Sequence, residues 1–439
     1  MKKNRPFLCL LGMLLSVSAS FAQNAVNDRS DSNAPIHCFL KGEVIDRPQS
    51  DRILLTKSGG DARVNAIDIP IKNGKFEYEL NCHVEETYQL IFQDEHIQGN
   101  MRPISFFAES GTVRFILHPK DLFFKNEVVG GKLNQEVRDY QLLEDSLFHR
   151  KSIEKEWNTL RKENRWYTEA FIDLRNKKRK VWDNKDQKAI DSLDVLITKM
   201  EESGKAMTPE AIDLEKRGNV AEKAIFDWEM QYIKDNTSLV SYQMLINKIN
   251  RASDSYAPDF YKKELPRLTE LYHTVYAPKY PTHPFTDRLK NVFQSASTIK
   301  IGGKFIDFTA PDFNGKAVKL SDQVKGKVAL IDLWASWCGP CRRSAISMIP
   351  VYETYKNKGF TIVGVARESE LSDAVNAANK DKYPWLNLIE LKDEGSIWAK
   401  YGVGNGGGGT FLIDKEGNIL AISPTAEEVK AVLEKILKN

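Results

Sequence analysis

From Ile36 to about Val129, apolar and polar residues alternate with a period of two and are interrupted by turn residues, a pattern that predicts short strands. Ile36, Cys38, Leu40 and Val44 fall on one face of a first strand. Phe76, Tyr78, Leu80 and Cys82 share a face of another, led in by the turn Asn73-Gly74. Further strands are expected at 52–56, 87–93, 104–108 and 112–117. Strands so short and closely spaced predict an antiparallel β-sandwich over residues 36–131, closed by Gly130-Gly131.

From Leu133 the alternation stops and Lys, Glu, Asp, Leu and Trp recur at helical spacing. Helices are expected at about 134–163, 165–182, 184–203, 208–234, 238–250 and 258–274. The breakers are Gly204, Thr208-Pro209, Asn236-Thr237 and Ala257-Pro258, and the whole makes a helical region over residues 132–297. Trp157, Trp166, Phe171, Trp182 and Trp228 are read as core or interhelix residues, and the run Lys177–Lys180 as a solvated face. A Pro- and Tyr-rich connector, Tyr276 to Pro284, and a helix at 285–295 lead onward.

Over residues 298–439 the period changes repeatedly between two and 3.6. A hairpin is expected around Asn314-Gly315, then a buried strand from Val328, a helix to about Asn357 and a strand Phe360–Ala366. A helix at 371–380, a strand at 385–391, a short helix at 394–401, a hairpin at 410–422 and a helix from Thr425 follow. This alternation predicts an α/β sheet covered on both faces, so the chain reads as multidomain: β-sandwich, central helices, C-terminal α/β fold.

The first residues change the setting. Lys2, Lys3 and Arg5 precede an apolar run from Phe7 to about Val17, and Ser20-Phe21-Ala22 supplies small residues for cleavage, so residues 1–22 read as a secretory signal peptide. A lipoprotein reading would use Cys9, which lies early in the apolar run without small residues before it. No later stretch is apolar enough to predict a membrane span in the mature chain. Without the three leader cations, 60 basic residues face 60 acidic ones. That balance argues against nucleic acid or an anionic surface as partner. The expected location is exported and periplasmic.

Four of the five cysteines lie beyond this leader: Cys38, Cys82, Cys338 and Cys341. Cys38 and Cys82 both sit on the apolar face of their strands, which leaves a structural disulfide or two packed thiols open. The flanking His37 and His83 raise a metal cluster as a third reading, opposed by the alternation that turns neighbours to opposite faces.

The chemistry-bearing stretch is Trp334-Ala335-Ser336-Trp337-Cys338-Gly339-Pro340-Cys341, between the apolar strand 328–333 and a helix that begins at the motif. Cys338 would therefore sit at an exposed helix mouth, where unpaired N–H groups favour an anion. A thiol there falls to a pKa of roughly 3.5–7.5 against about 8.5 when free. Pro340 suits the first helical turn. Structural zinc would need two more ligands, an inert disulfide would not need flanking tryptophans, and peroxide chemistry would want a lone cysteine on a different loop. Dithiol–disulfide exchange remains, with Cys338 as attacker and Cys341 as resolving thiol.

The segments Phe308–Phe313, Gly326-Lys327-Val328, the CxxC block, Lys358–Val365 and Phe411–Asp414 give residues 301–439 a resemblance to thioredoxin-fold, TlpA/ResA-like thiol-disulfide oxidoreductases. The sandwich more weakly resembles the N-terminal β-domain of undefined function that often precedes this type of domain. The resemblance implies disulfide exchange with protein clients, in the reducing direction suggested by CGPC. It also implies a membrane or periplasmic electron donor and no cofactor or metal beyond the redox-active Cys338–Cys341 pair.

Two acids are candidate bases for Cys341. Asp332 stands in an otherwise apolar strand, where a charge is costly unless protonated or partnered, and thioredoxins carry a buried aspartate there. Glu368 is expected just past the strand 361–366, at the rim where such sheets carry their sites; ResA-like proteins have a glutamate at a similar place. The chain departs from the family where a cis-proline should face the dithiol. It has Gly404-Asn405-Gly406-Gly407-Gly408-Gly409, with Gly408 or Gly409 in that place beside Thr410, and a trans or mobile loop is expected. Ser344 and Ile346 stand where the family often has Glu and Pro. The competing reading is a binding module with a vestigial or metal-prone dithiol.

Overall fold

The computed structural model describes residues 35–183, 186–253 and 259–437. The leader 1–22, Cys9 and the breaker Ala257-Pro258 lie outside the described residues. Eight strands come first: β1 (Ile36–Val44), β2 (Arg52–Lys57), β3 (Ile67–Pro70), β4 (Lys75–Cys82), β5 (Thr87–Phe92), β6 (Ile104–Phe107), β7 (Gly111–Leu117) and β8 (Glu127–Val129). They form two four-stranded sheets, ordered β4-β1-β7-β8 and β3-β2-β5-β6, that close on one apolar core. The expected antiparallel pairing is corrected at β1 and β7, which run parallel because the chain passes through the other sheet between them. The alternation in β1 is complete, and Gly42 in its middle gives room to Phe76: a Cβ there would lie 2.0 Å from the ring.

Cys38 and Cys82 are both free and buried, so the disulfide reading is corrected to two packed thiols. Register is the reason. Cys38 faces Leu80 and Cys82 faces Ile36, which sets the two cysteines diagonally, beyond the span of a disulfide. Burial raises both thiol pKa values, that of Cys82 to about 11. His37 turns outward and meets Glu79 at 2.9 Å, as alternation requires.

The sandwich is locked to the helices by a polar joint. Glu109 accepts from the N–H groups of Leu133 (2.9 Å) and Asn134 (3.1 Å), capping the helix Lys132–Phe148 from outside it. Asn134 exchanges two 2.8 Å bonds with the backbone of Phe107, whose ring enters the helical core.

The long helix expected at 134–163 is two, Lys132–Phe148 and Arg150–Lys162, because His149 adopts a left-handed conformation between them. Glu169–Asp183 and Gln187–Glu202 form a hairpin, whose Trp182 is 62 % exposed rather than core. Pro209–Asp235, Leu239–Ser253 and Asp259–Leu271 follow. The expected connector is itself packed: a π-helical turn, Tyr272–Tyr276, buries both its end tyrosines, and Tyr242 lies against Tyr276, Tyr280 and Phe285. The helix Pro284–Thr298 then leans on the later helix Ile397–Lys400.

The C-terminal region opens with a hairpin of β9 (Thr309–Pro311) and β10 (Ala317–Lys319). Its main sheet holds β11 (Val328–Trp334), β12 (Phe360–Glu368), β13 (Leu386–Leu391), β14 (Gly409–Ile413) and β15 (Ile419–Ile422), in the order β13-β12-β11-β14-β15. β11, β12 and β13 run parallel; β14 pairs antiparallel with β11. Apolar clusters cover both faces, one including the helices Gly339–Tyr355 and Ala426–Ile436, the other Ile397–Lys400. Among the described residues no helix is long and apolar enough to cross a membrane.

The buried thiols provide a check. Iodoacetamide should leave Cys38 and Cys82 unmodified in the native protein and label both after unfolding in guanidinium, as read by peptide mass mapping. A linked Cys38–Cys82 peptide would contradict the register described.

Candidate active site

β11 is buried along all seven residues, which fixes the sheet's centre. Its alternation sends Ala329, Ile331 and Leu333 to one face, and Val328, Leu330, Asp332 and Trp334 to the other. The chain leaves the strand, makes a tight turn at Ala335–Cys338 closed by the Cys338 N–H on Ala335 O (3.1 Å), and enters the helix Gly339–Tyr355. Cys338 is the N-cap, and its sulfur accepts from the Cys341 N–H at 3.3 Å. Pro340 occupies the first turn, where no N–H is missed. Cys338 and Cys341 are disulfide-bonded, with Cα atoms 5.3 Å apart.

One expectation about this motif is reversed. Cys338 is at the helix mouth but only 5 % exposed, while Cys341 is half-buried; the open edge of the motif is Gly339-Pro340. Trp337 leans towards Trp398, with ring centroids 6.0 Å apart. The glycine run lies against the sulfurs from the far side. The Gly408 N–H donates to Cys341 Sγ at 3.1 Å, and a Cβ on Gly407 would lie 3.8 Å from Cys338 Sγ. A Cβ on Gly408 would be 1.9 Å from the carbonyl oxygen of Leu333, so this close approach excludes any side chain. Gly409 faces Leu333 and Thr410 faces Asp332 in the β14–β11 register, and all described peptide bonds are trans.

Asp332 is buried in β11, on the sheet face that also carries Trp334. Desolvation raises its pKa to about 7. Glu368 is also buried, but it belongs to β12 rather than to a loop past it, because β12 pairs with β13 as far as Leu391. Its carboxylate accepts from the backbone N–H of Ser336 and, at 3.0 Å, from the Ser336 hydroxyl. Burial raises its pKa against those bonds. Glu368 therefore holds the turn before Cys338, while Asp332 is buried within β11 on the face that carries Trp334.

Several residues escaped the sequence reading. Arg342, next to Cys341, makes a bidentate pair with Asp381 (2.6 and 2.8 Å) and donates to Ser336 O at 3.2 Å. Arg367 is buried in β12, pairs with Asp393 (Nη2 at 2.6 Å), and reaches Asn405 Oδ1 at 3.1 Å and Asp61 of the sandwich at 3.4 Å. Glu390, buried in β13, accepts from the Ile397 N–H at 2.7 Å, and desolvation lifts its pKa to about 7. Charges inside otherwise apolar strands were the available signal for Arg367 and Glu390. For the sandwich residues no such signal existed.

The chain matches the AhpC/TSA family over residues 301–422 and a domain of unknown function, DUF4369, over residues 39–137. It is similar to the thiol-disulfide oxidoreductase ResA of Bacillus cereus, 32 % identical over 149 residues, covering 33 % of this chain and 83 % of that protein. The ResA of Geobacillus thermodenitrificans is 28 % identical over 172 residues, covering 38 % and 89 %. The thioredoxin domain of a Bacteroides vulgatus thiol-disulfide oxidoreductase is 29 % identical, covering 32 % of this chain and all of that one, with a TM-score of 0.30.

The titration of Asp332 gives a stability test. Its pKa is above the ordinary 3.8 when folded, so the stability of the protonated form is fully present below about 3.8 and lost as pH rises through about 7. Asp332→Asn should therefore stabilise the oxidised protein increasingly from about pH 4, levelling off above pH 7 at up to on the order of 4 kcal/mol. Urea unfolding at pH 5 and pH 8 reads the difference; a pH-independent effect would show that Asp332 stays ionised in the fold.

Proposed function

Because the chain belongs to the ResA-like thiol-disulfide oxidoreductases, we propose that it is exported by residues 1–22 and reduces disulfides of protein clients in the periplasm. In this reading residues 36–131, 132–297 and 298–439 are its sandwich, helical and thioredoxin-like domains. The observation that carries it is the pair of backbone donors aimed at the two sulfurs: Cys341 N–H on Cys338, and Gly408 N–H on Cys341. Each favours a thiolate on the sulfur it touches.

In the reduced protein the Cys338 thiolate attacks one sulfur of a client disulfide and expels the other as a thiolate, leaving a mixed disulfide. Cys341 then gives its proton to the Asp332 carboxylate, which a pKa of about 7 keeps partly available at neutral pH. The Cys341 thiolate attacks Cys338 Sγ, the second client thiolate leaves, and two electrons have passed to the client. A dithiol donor, in the membrane or the periplasm, must restore the Cys338–Cys341 pair. Glu368 and Arg342 position the turn through Ser336.

The burial of Cys338 favours a second reading, a binding module whose dithiol seldom meets a client. Insulin reduction with dithiothreitol as donor separates the two. The wild type should accelerate it, Cys338→Ser should lose nearly all of that activity, and Cys341→Ser should accumulate a mixed disulfide through Cys338. Equal rates for wild type and Cys338→Ser would leave the binding reading.

The role of Asp332 has its own kinetic check. Asp332→Asn should prolong the mixed disulfide by about tenfold or more while the first attack changes less, since only resolution needs its proton acceptor. Unchanged lifetimes in quenched-flow experiments would make Asp332 a packing residue.

A further inference from the structure

The rim of the dithiol site is completed by the sandwich. After β2 the chain turns through Gly59 and Gly60 into a single helical turn, Ala62–Asn65, with Asp61 as its cap. This turn meets the C-terminal region at the site itself. The Arg63 guanidinium lies 3.6 Å over the ring of Trp337, the residue before Cys338, and donates to the backbone carbonyl of Asn405. Asn405 Nδ2 returns bonds to the carbonyls of Gly59 (3.4 Å) and Gly60 (3.1 Å). Behind them Asp61, buried, pairs with both Arg63 (2.9 and 2.7 Å) and Arg367 (3.4 Å), and Asn65 reaches Asp393 at 3.2 Å.

Two consequences follow. The glycine run 404–409, which has little conformational preference of its own, is held in place from outside by residues of another part of the chain. And a client that would lay its backbone beside that run to present a disulfide to Cys338 finds the Asn405 end already occupied. The edge at Gly339-Pro340 stays open. A small disulfide can approach there; a folded protein needs more room.

We infer that Arg63, with its anchor Asn405, is a specificity-determining residue of the thiol-disulfide site, closing the cleft so that access to Cys338 depends on substrate size. The inference rests on the oxidoreductase reading above. Arginine suits the position because one planar group makes the bidentate pair with Asp61 and the stack on Trp337 at once, which an ammonium does not.

The test is single-turnover oxidation of the fully reduced full-length protein, freed of donor, by hydroxyethyl disulfide and by insulin. Arg63→Ala should raise the insulin rate about fivefold more than the small-disulfide rate, the size of one lost cation–π contact. Asn405→Ala should shift the ratio in the same direction, and Arg63→Lys should follow Arg63→Ala. Equal factors for the two substrates, or a ratio that falls, would overturn the inference while leaving the oxidoreductase reading standing. A wild type that reacts with neither substrate would remove both.

Discussion

The active half of the molecule depends on the burial of β11. Seven consecutive buried residues must satisfy their backbone groups within the sheet, so β12 pairs on one side and β14 on the other. Those two pairings decide the site. The parallel partner β12 ends with Arg367 and Glu368 beside the turn that follows β11. The antiparallel partner β14 begins with the glycine run, which is thereby laid across the sulfurs. The helix dipole and the two N–H donors then act on thiols held within a single turn of each other.

Burying acids around a redox pair has a cost that the structure distributes. Asp332 is desolvated and becomes a weak acid near neutrality, as the proton acceptor proposed for Cys341 would need to be. Glu368 is desolvated too, but its bonds to Ser336 oppose the shift and tie it to the backbone. The two carboxyls are chemically alike and sit on adjacent strands, yet only Glu368 is tied to the turn before Cys338 by hydrogen bonds to Ser336. Arg367 and Asp61 are buried as well; Asp393 and Arg63 are their closer partners, and their mutual contact at 3.4 Å joins the two parts of the chain.

Much of this was legible in the residues. Strict alternation in β1 and β4, the apolar run of β11, and glycines and prolines at element ends placed most strands and helices within a few residues. The CxxC motif between a strand and a helix announced its chemistry. Local signals misled at particular residues. His149 breaks a helix that its neighbours would have continued, and Trp182 stays in solvent although tryptophan is usually packed. Cys38 and Cys82 share an apolar face but are set out of disulfide reach by a register that no single strand contains.

The sequence alone determined the order of elements, the dithiol, its place at a helix start, and a buried acid six residues before it, because these follow from local periodicity and spacing. Only the tertiary structure decided that Cys338 is covered, that Glu368 holds Ser336, and that Arg63 of the sandwich stacks on Trp337. Those facts join residues tens to hundreds of positions apart. Nothing in the pattern around Arg63 distinguishes it from any other exposed arginine; its role arises from the surface that folding brings against it.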